Sequence, residues 1–168
     1  MPNWCSNSIK VVGTKEYIEG MAAAFFDGKL LNYIAPVDAG DNWYEANIAT
    51  WGTKWDVGGE DFYYEVIEGD DGQWTFAASF DSAWSPPIEA YQTLVDKGIF
   101  VEAYYYEPGM NFCGRFDEDG DDCYQIEGDS DWVVANVPED IDVSMGISES
   151  MEVWEEEEVE YIAESVAE

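Results

Sequence analysis

Apolar positions recur along this chain with two periods, and the change of period marks the elements. From Ser8 to Gly13 β-branched residues alternate with other residues, the pattern of a strand closed by a glycine. Thr14 is placed to cap a helix in which Ile18, Met21, Ala22 and Phe25 fall at i, i+3, i+4 and i+7, ending at Gly28. Leu30 to Pro36 reads as an irregular or short extended segment against the core. Asp41 or Asn42 then caps a short helix through Tyr44, Ile48 and Ala49. Phe62–Ile67 and Trp74–Phe80 read as two strands of a hairpin around Glu68-Gly69-Asp70-Asp71-Gly72.

Ser85 as cap and Pro86 at the first helical position start a helix with Ile88, Tyr91, Leu94 and Val95 on its apolar face, closed by Gly98. Ile99–Glu107 is a strand. A second hairpin, Asn111–Phe116 with Cys123–Glu127, turns at Asp117–Asp122, and Trp132–Ala135 reads as one more short strand. From about Ser150, Met151, Trp154, Val159 and Ile162 are spaced for a final helix with glutamates in its first turns, where the helix dipole favours acids.

The first six elements run strand, helix, strand, strand, helix, strand. That order predicts an α+β, ferredoxin-like (split βαβ) antiparallel sheet with helices on one face, plus an extra β-hairpin and an acidic C-terminal helix. Residues 1–116 form the expected core, and 117–168 an acidic extension packed on it or continuing it.

Charge changes the picture more than pattern does. The 168 residues carry 38 Asp+Glu, 6 Lys+Arg and no His, a formal net charge of -32. Residues 1–97 contribute -11, and residues 98–168 contribute -21 with Arg115 as their one base. Such a polyanion is a poor ligand for nucleic acid or an anionic membrane, because both need a basic footprint. Without His the commonest general base, the usual metal ligand and every His-dependent triad are excluded. No apolar run reaches the roughly 20 residues of a membrane span. The start Met1-Pro2-Asn3-Trp4-Cys5 lacks a basic and an apolar region, so a secretory signal is not expected. An apolar content of 46%, with aromatics alone making up 16% of the chain, predicts a folded domain rather than a disordered chain. Cys5, Cys113 and Cys123, odd in number and widely spaced, read as buried free thiols in a reducing compartment.

Met1-Pro2-Asn3-Trp4-Cys5-Ser6-Asn7, Trp51-Gly52-Thr53-Lys54-Trp55-Asp56, Ala83-Trp84-Ser85-Pro86-Pro87 and Tyr106-Glu107-Pro108-Gly109-Met110, continued by Phe112-Cys113-Gly114, together resemble the YubB-like family of bacteriophages and conjugative plasmids. The resemblance spans about residues 1–116 and implies a mobile-element protein with a ferredoxin-like domain. It implies no reaction, and residues 117–168 lie outside it.

Lys54 between two tryptophans fits either a cation–aromatic binding patch or a structural corner with Lys54 reaching to water; packing favours the corner. Trp4, Trp51, Trp55 and Trp84 are accordingly expected to close the core. Asp117, Asp119 and Asp121 hold positions 1, 3 and 5 of a calcium loop, but Asp122 stands where Gly belongs and Gly128 where the bidentate Glu belongs; a solvated hairpin tip is expected. No catalytic residues, cofactor or metal are predicted, so the protein reads as non-enzymatic.

The acidity has a bland reading, solubility of a kind common in halophilic proteins, and a functional one. In the functional reading, carboxylates imitate the phosphates of DNA. The partner-binding surface would be Asp117, Glu118, Asp119, Asp121, Asp122, Glu127, Asp129, Asp131, Glu152, Glu155, Glu156, Glu157, Glu158 and Glu160. The expected partner is a basic host protein that normally binds nucleic acid, such as a defence nuclease, restriction or CRISPR-type system, in the cytoplasm of a bacterial host. The alternative is a structural or adaptor module that binds another protein through its aromatic face.

Overall fold

The computed structural model describes residues 1–38 and 40–167. Six strands, β1 (Trp4–Thr14), β2 (Tyr64–Glu68), β3 (Gln73–Ala83), β4 (Phe100–Glu107), β5 (Phe112–Asp117) and β6 (Gly120–Gln125), form one sheet. Its order is β2-β3-β1-β4-β5-β6, with every neighbouring pair antiparallel. Seven helices among the described residues complete the α+β architecture: α1 (Lys15–Phe26), α2 (Leu30–Ile34), α3 (Trp43–Trp51), α4 (Ile88–Asp96), α5 (Ser130–Asn136), α6 (Glu139–Met145) and α7 (Ile147–Ala167). None is long and apolar enough to cross a membrane.

Alternation along the strands separates two cores. Ile9, Val11, Phe76, Ala78, Phe80, Val101, Ala103 and Phe116 point to one face and pack with Ile18, Met21 and Phe25 of α1, Leu30, Leu31 and Ile34 of α2, and Tyr91 and Leu94 of α4. Tyr104 and Tyr106 of β4 and Cys113 of β5 point the other way. There they meet Val133 of α5, Ile141 of α6 and Ile147 of α7, with Ile126 and Val137. Helices therefore cover both faces rather than the single face expected, and the second layer is built from the acidic end of the chain. The sheet also runs across position 116, which lies inside β5, and β6 continues it.

Several local expectations give way to tertiary partners. Leu30–Ile34 is a helix rather than an extended segment, because Asp56 accepts from the amides of Leu31 (2.7 Å) and Asn32 (3.0 Å) at its first turn. Ser85 does not cap α4, which begins at Ile88 after Pro87; the Ser85 hydroxyl instead donates to the Gly52 carbonyl at 2.6 Å. Trp132–Ala135 lies in α5, not in a strand. Asp129 accepts from the Trp132 amide at 3.0 Å, and this cap together with burial of Val133 overrides the β-propensity of two valines. The last helix starts at Ile147 instead of Ser150, after α6, a helix of about two turns that the pattern does not announce. Asp142 of α6 holds its start by accepting from the Ser148 amide (2.7 Å) and hydroxyl (2.6 Å). Thr14 caps α1 as expected, accepting from the Tyr17 amide.

Candidate functional site

The four sequence motifs, far apart in the chain, meet at one end of the sheet. Trp4 opens β1 beside Ala83, the last residue of β3. The amide of Trp84 donates to the Asn3 carbonyl at 2.8 Å. Thr53, fully buried, donates from its hydroxyl to the Ala83 carbonyl at 2.8 Å. Buried Asn7 donates to the Cys5 carbonyl and the Ser82 hydroxyl and accepts from the Tyr91 hydroxyl at 3.1 Å. Buried Glu107 accepts from the amides of Gly109 (2.6 Å) and Met110 (2.8 Å), fixing the turn between β4 and β5.

This corner displays its aromatic rings as well as burying them. Trp51 is 5% exposed and its indole donates to the Ala35 carbonyl at 2.8 Å, so it closes the core as expected. Trp4, Trp55 and Trp84 do not: they are 46%, 39% and 48% exposed. The rings of Trp4 and Trp55 lie 6.1 Å apart. Lys54 Nζ sits 4.4 Å from the Trp55 ring and 5.8 Å from Tyr44, whose own ring contacts that of Trp43. The cation–aromatic arrangement that packing arguments set aside is thus formed. Its signal in the sequence is Lys54 between Trp51 and Trp55; what the sequence could not say is which rings face water.

The acidic surface is the other candidate. In the second hairpin only Glu118 and Asp119 lie between the strands, while Asp121 and Asp122 belong to β6. Asp117 lies 3.5 Å from the Arg115 guanidinium and accepts from the Asp119 amide. Asp121 accepts from the Tyr105 hydroxyl at 2.6 Å. Gly114, opposite Tyr105 in the register, leaves room for that hydroxyl, which a Cβ there would overlap. Desolvation, aided by the charge of Asp122, raises the Asp121 carboxyl above its ordinary value against the Tyr105 bond that lowers it. Asp117, Asp119 and Asp121 therefore do not converge on a common point.

Glu127, Asp129 and Asp131 are exposed where the chain leaves β6 and enters α5. Along α7, Glu152, Glu156, Glu157, Glu158 and Glu160 are exposed, whereas Glu155 reaches back to accept from the Ser130 amide (2.8 Å) and hydroxyl (2.6 Å). Among the predicted partner-binding acids, Asp117, Asp121, Asp129 and Glu155 have structural tasks as well. The structure brings the set to two places, the hairpin tip and the α5–α7 pair. Among the described residues the carboxylates within 4 Å of a cation are those of Glu19, Asp117 and Asp140.

α7 buries Ile147 and part of Met151, then continues with Trp154 (72% exposed), Val159, Tyr161, Ile162 and Val166 in the open. Its eight carboxylates have no base on the same helix.

No family model matches the sequence, and no curated protein matches it. Among solved structures, the crystal structure of protein api92 from Yersinia pseudotuberculosis, which carries the family-model name DUF1281, is similar at a TM-score of 0.43 and 10% identity. The similarity covers 76% of this chain and 99% of that one.

Proposed function

We propose that the protein is a non-enzymatic decoy of a phage or plasmid that occupies the nucleic-acid site of a basic host protein, with α7 as its leading surface. The observation that carries this reading is the charge spacing of that helix. Its 21 residues span roughly 30 Å. Eight carboxylates over that length is about one per 4 Å, close to the roughly 3.4 Å per charge along one DNA strand. The order and antiparallel pairing of β1 to β4, with α1 and α4 on one face, support reading the core expected over residues 1–116 as ferredoxin-like. In this reading the partner is a defence nuclease, restriction or CRISPR-type protein in the host cytoplasm, and the decoy touches neither nucleic acid nor membrane.

The exposed rings of Trp4, Trp55 and Tyr44 favour a second reading, an adaptor that docks on a protein through that aromatic corner. One experiment separates the two. The immobilised chain is exposed to bacterial lysate, and retained proteins are challenged with duplex DNA and with salt. The decoy reading expects release by both, and loss of retention when the exposed Glu152, Glu156, Glu157 and Glu158 are changed to Gln. Retention that survives DNA and the Gln variant, yet fails in a folded Trp55→Ala variant, replaces the decoy with the adaptor.

A further inference from the structure

A cleft of about 360 Å³ opens where the loop after α3 passes the ends of β1 and β3, lined by Trp4, Asp56, Val57, Gly58, Phe62 and Asp81. It lies apart from α7 and the acidic hairpin. Two of its walls are aromatic, the half-exposed indole of Trp4 and the partly buried ring of Phe62. Two carboxylates reach it, and they differ in what they are free to do.

Asp56 is committed. Its Oδ1 accepts from the amides of Leu31 (2.7 Å) and Val57 (2.8 Å), and its Oδ2 from that of Asn32 (3.0 Å). Asp81 is not. Among the described residues its one side-chain partner is the Ser6 hydroxyl at 3.3 Å, and no cation lies within 4 Å of it. Ser6 faces Asp81 across the strand pair and Trp4 faces Ala83. Trp4 and Asp81 are thus diagonal neighbours on one face of the sheet, with their backbones roughly 7–8 Å apart. That is the separation at which one small group can touch an indole face and a carboxylate together.

The neighbouring ring shows what such a face attracts. Lys54 Nζ already lies 4.4 Å from Trp55, which packs against Trp4. Trp4 itself has no cation over it among the described residues. A ring quadrupole and an anionic oxygen both favour positive charge, and a weakly hydrated organic cation gains from both because it leaves water easily. We propose that this cleft is a seat for an organic cation, a guanidinium or an alkylated ammonium, held between the Trp4 indole and the Asp81 carboxylate with Phe62 as its apolar wall. This goes beyond the decoy reading and does not depend on it.

The test is a titration followed by the Trp4 indole N–H resonance. It is run near 1 M sodium chloride, where the screening length is about 3 Å and diffuse attraction to a polyanion is suppressed. Three probes are used: choline, N-acetylarginine methylamide, and 3,3-dimethylbutan-1-ol, the neutral isostere of choline. At least one of the cations should shift the resonance to saturation while the isostere does not. Saturation by choline alone points to a small quaternary ammonium ligand, and by the arginine amide alone to a partner's side chain. Asp81→Asn should weaken the cation about tenfold and leave the isostere unchanged. Trp43→Leu, outside the cleft, should have no effect. Failure of both cations to saturate, equal binding of the isostere, or an Asp81→Asn variant with unaltered affinity overturns the site. Because Asp81→Asn keeps size and the Ser6 contact, the test does not rest on removing a tryptophan.

Discussion

Tryptophans with similar surroundings in the sequence do different work in the fold. Trp51 is enclosed and its indole N–H has a carbonyl partner, so truncation leaves both a cavity and an orphaned acceptor. Trp51→Ala should lower stability by about 3–5 kcal/mol, a large share of the roughly 5–15 kcal/mol available to a domain, and the loss is read from the shift of a denaturant midpoint. Trp84 is the opposite case. It is half in water and sits at φ 69, the left-handed region that a side chain disfavours and glycine accepts. Trp84→Gly should keep or raise the midpoint, and a clear fall would show that its ring packs in a way the exposure does not suggest. The cysteines divide similarly. Cys5 and Cys113 are buried and Cys123 is exposed, contrary to the expectation of three buried thiols. Burial, with the nearby Glu107 charge, pushes the Cys5 thiol up to about 12, and burial pushes Cys113 up to about 12. A thiol reagent at neutral pH should therefore modify Cys123 alone in the native protein and all three residues after denaturation, counted by mass.

At the scale of elements, α7 is the least supported. Its first turn is anchored by Ile147 and by Asp142 on Ser148, and its third turn by Glu155 on Ser130. Beyond Glu155 every described residue is exposed. Glu152, Glu156, Glu160 and Glu164 stand four apart on one strip, and each such like-charge pair opposes the helix by about 0.2–0.5 kcal/mol. No base offsets the dipole in the last turn. Amide exchange should therefore be fast from about Glu156 onward and slower through Ile147–Met151. Added salt should slow it in the distal half, because screening weakens the repulsion. Exchange that is equally slow along the whole helix would contradict this. The apolar stripe that the spacing of Met151, Trp154, Val159 and Ile162 announces does exist, but past Met151 its residues are exposed.

For the whole molecule, the balance of charge sets the response to pH and salt. With 38 acids, 6 bases and few close pairs among the described residues, repulsion opposes compaction. Burial also raises the carboxyls of Asp56 and Asp121 above their ordinary values. A raised carboxyl binds its proton more tightly in the folded state, so the native state takes up more protons and stability rises as pH falls through the folded pKa. The melting temperature at low salt should therefore climb as pH is lowered from about 7 to about 5, above the ordinary carboxylate range of about 4. It should also climb with sodium chloride at neutral pH. Asp121→Asn should raise the neutral-pH value and flatten part of the pH dependence. A melting temperature that falls steadily on acidification, or is indifferent to salt, would refute this account.

The sequence by itself determined the elements whose information is local. Thr14 and the Ile18, Met21, Ala22, Phe25 face specify α1; alternation and turn residues specify β2 with β3; the existence of the second hairpin was legible, though its turn is Glu118 and Asp119 rather than Asp117–Asp122; charge and the missing His bound the chemistry. Tertiary structure alone decided what depends on distant partners. Asp56 makes a helix of Leu30–Ile34, and Asp129 with a buried Val133 makes a helix where two valines suggested a strand. Pairing of β5 with β4, and of β6 with β5, carries the sheet into the acidic end, whose helices then cover its second face. Which tryptophans face water was likewise undecided, because exposure depends on what lies opposite a ring. The cleft between Trp4 and Asp81 joins residues 77 positions apart through a strand register that no local pattern encodes.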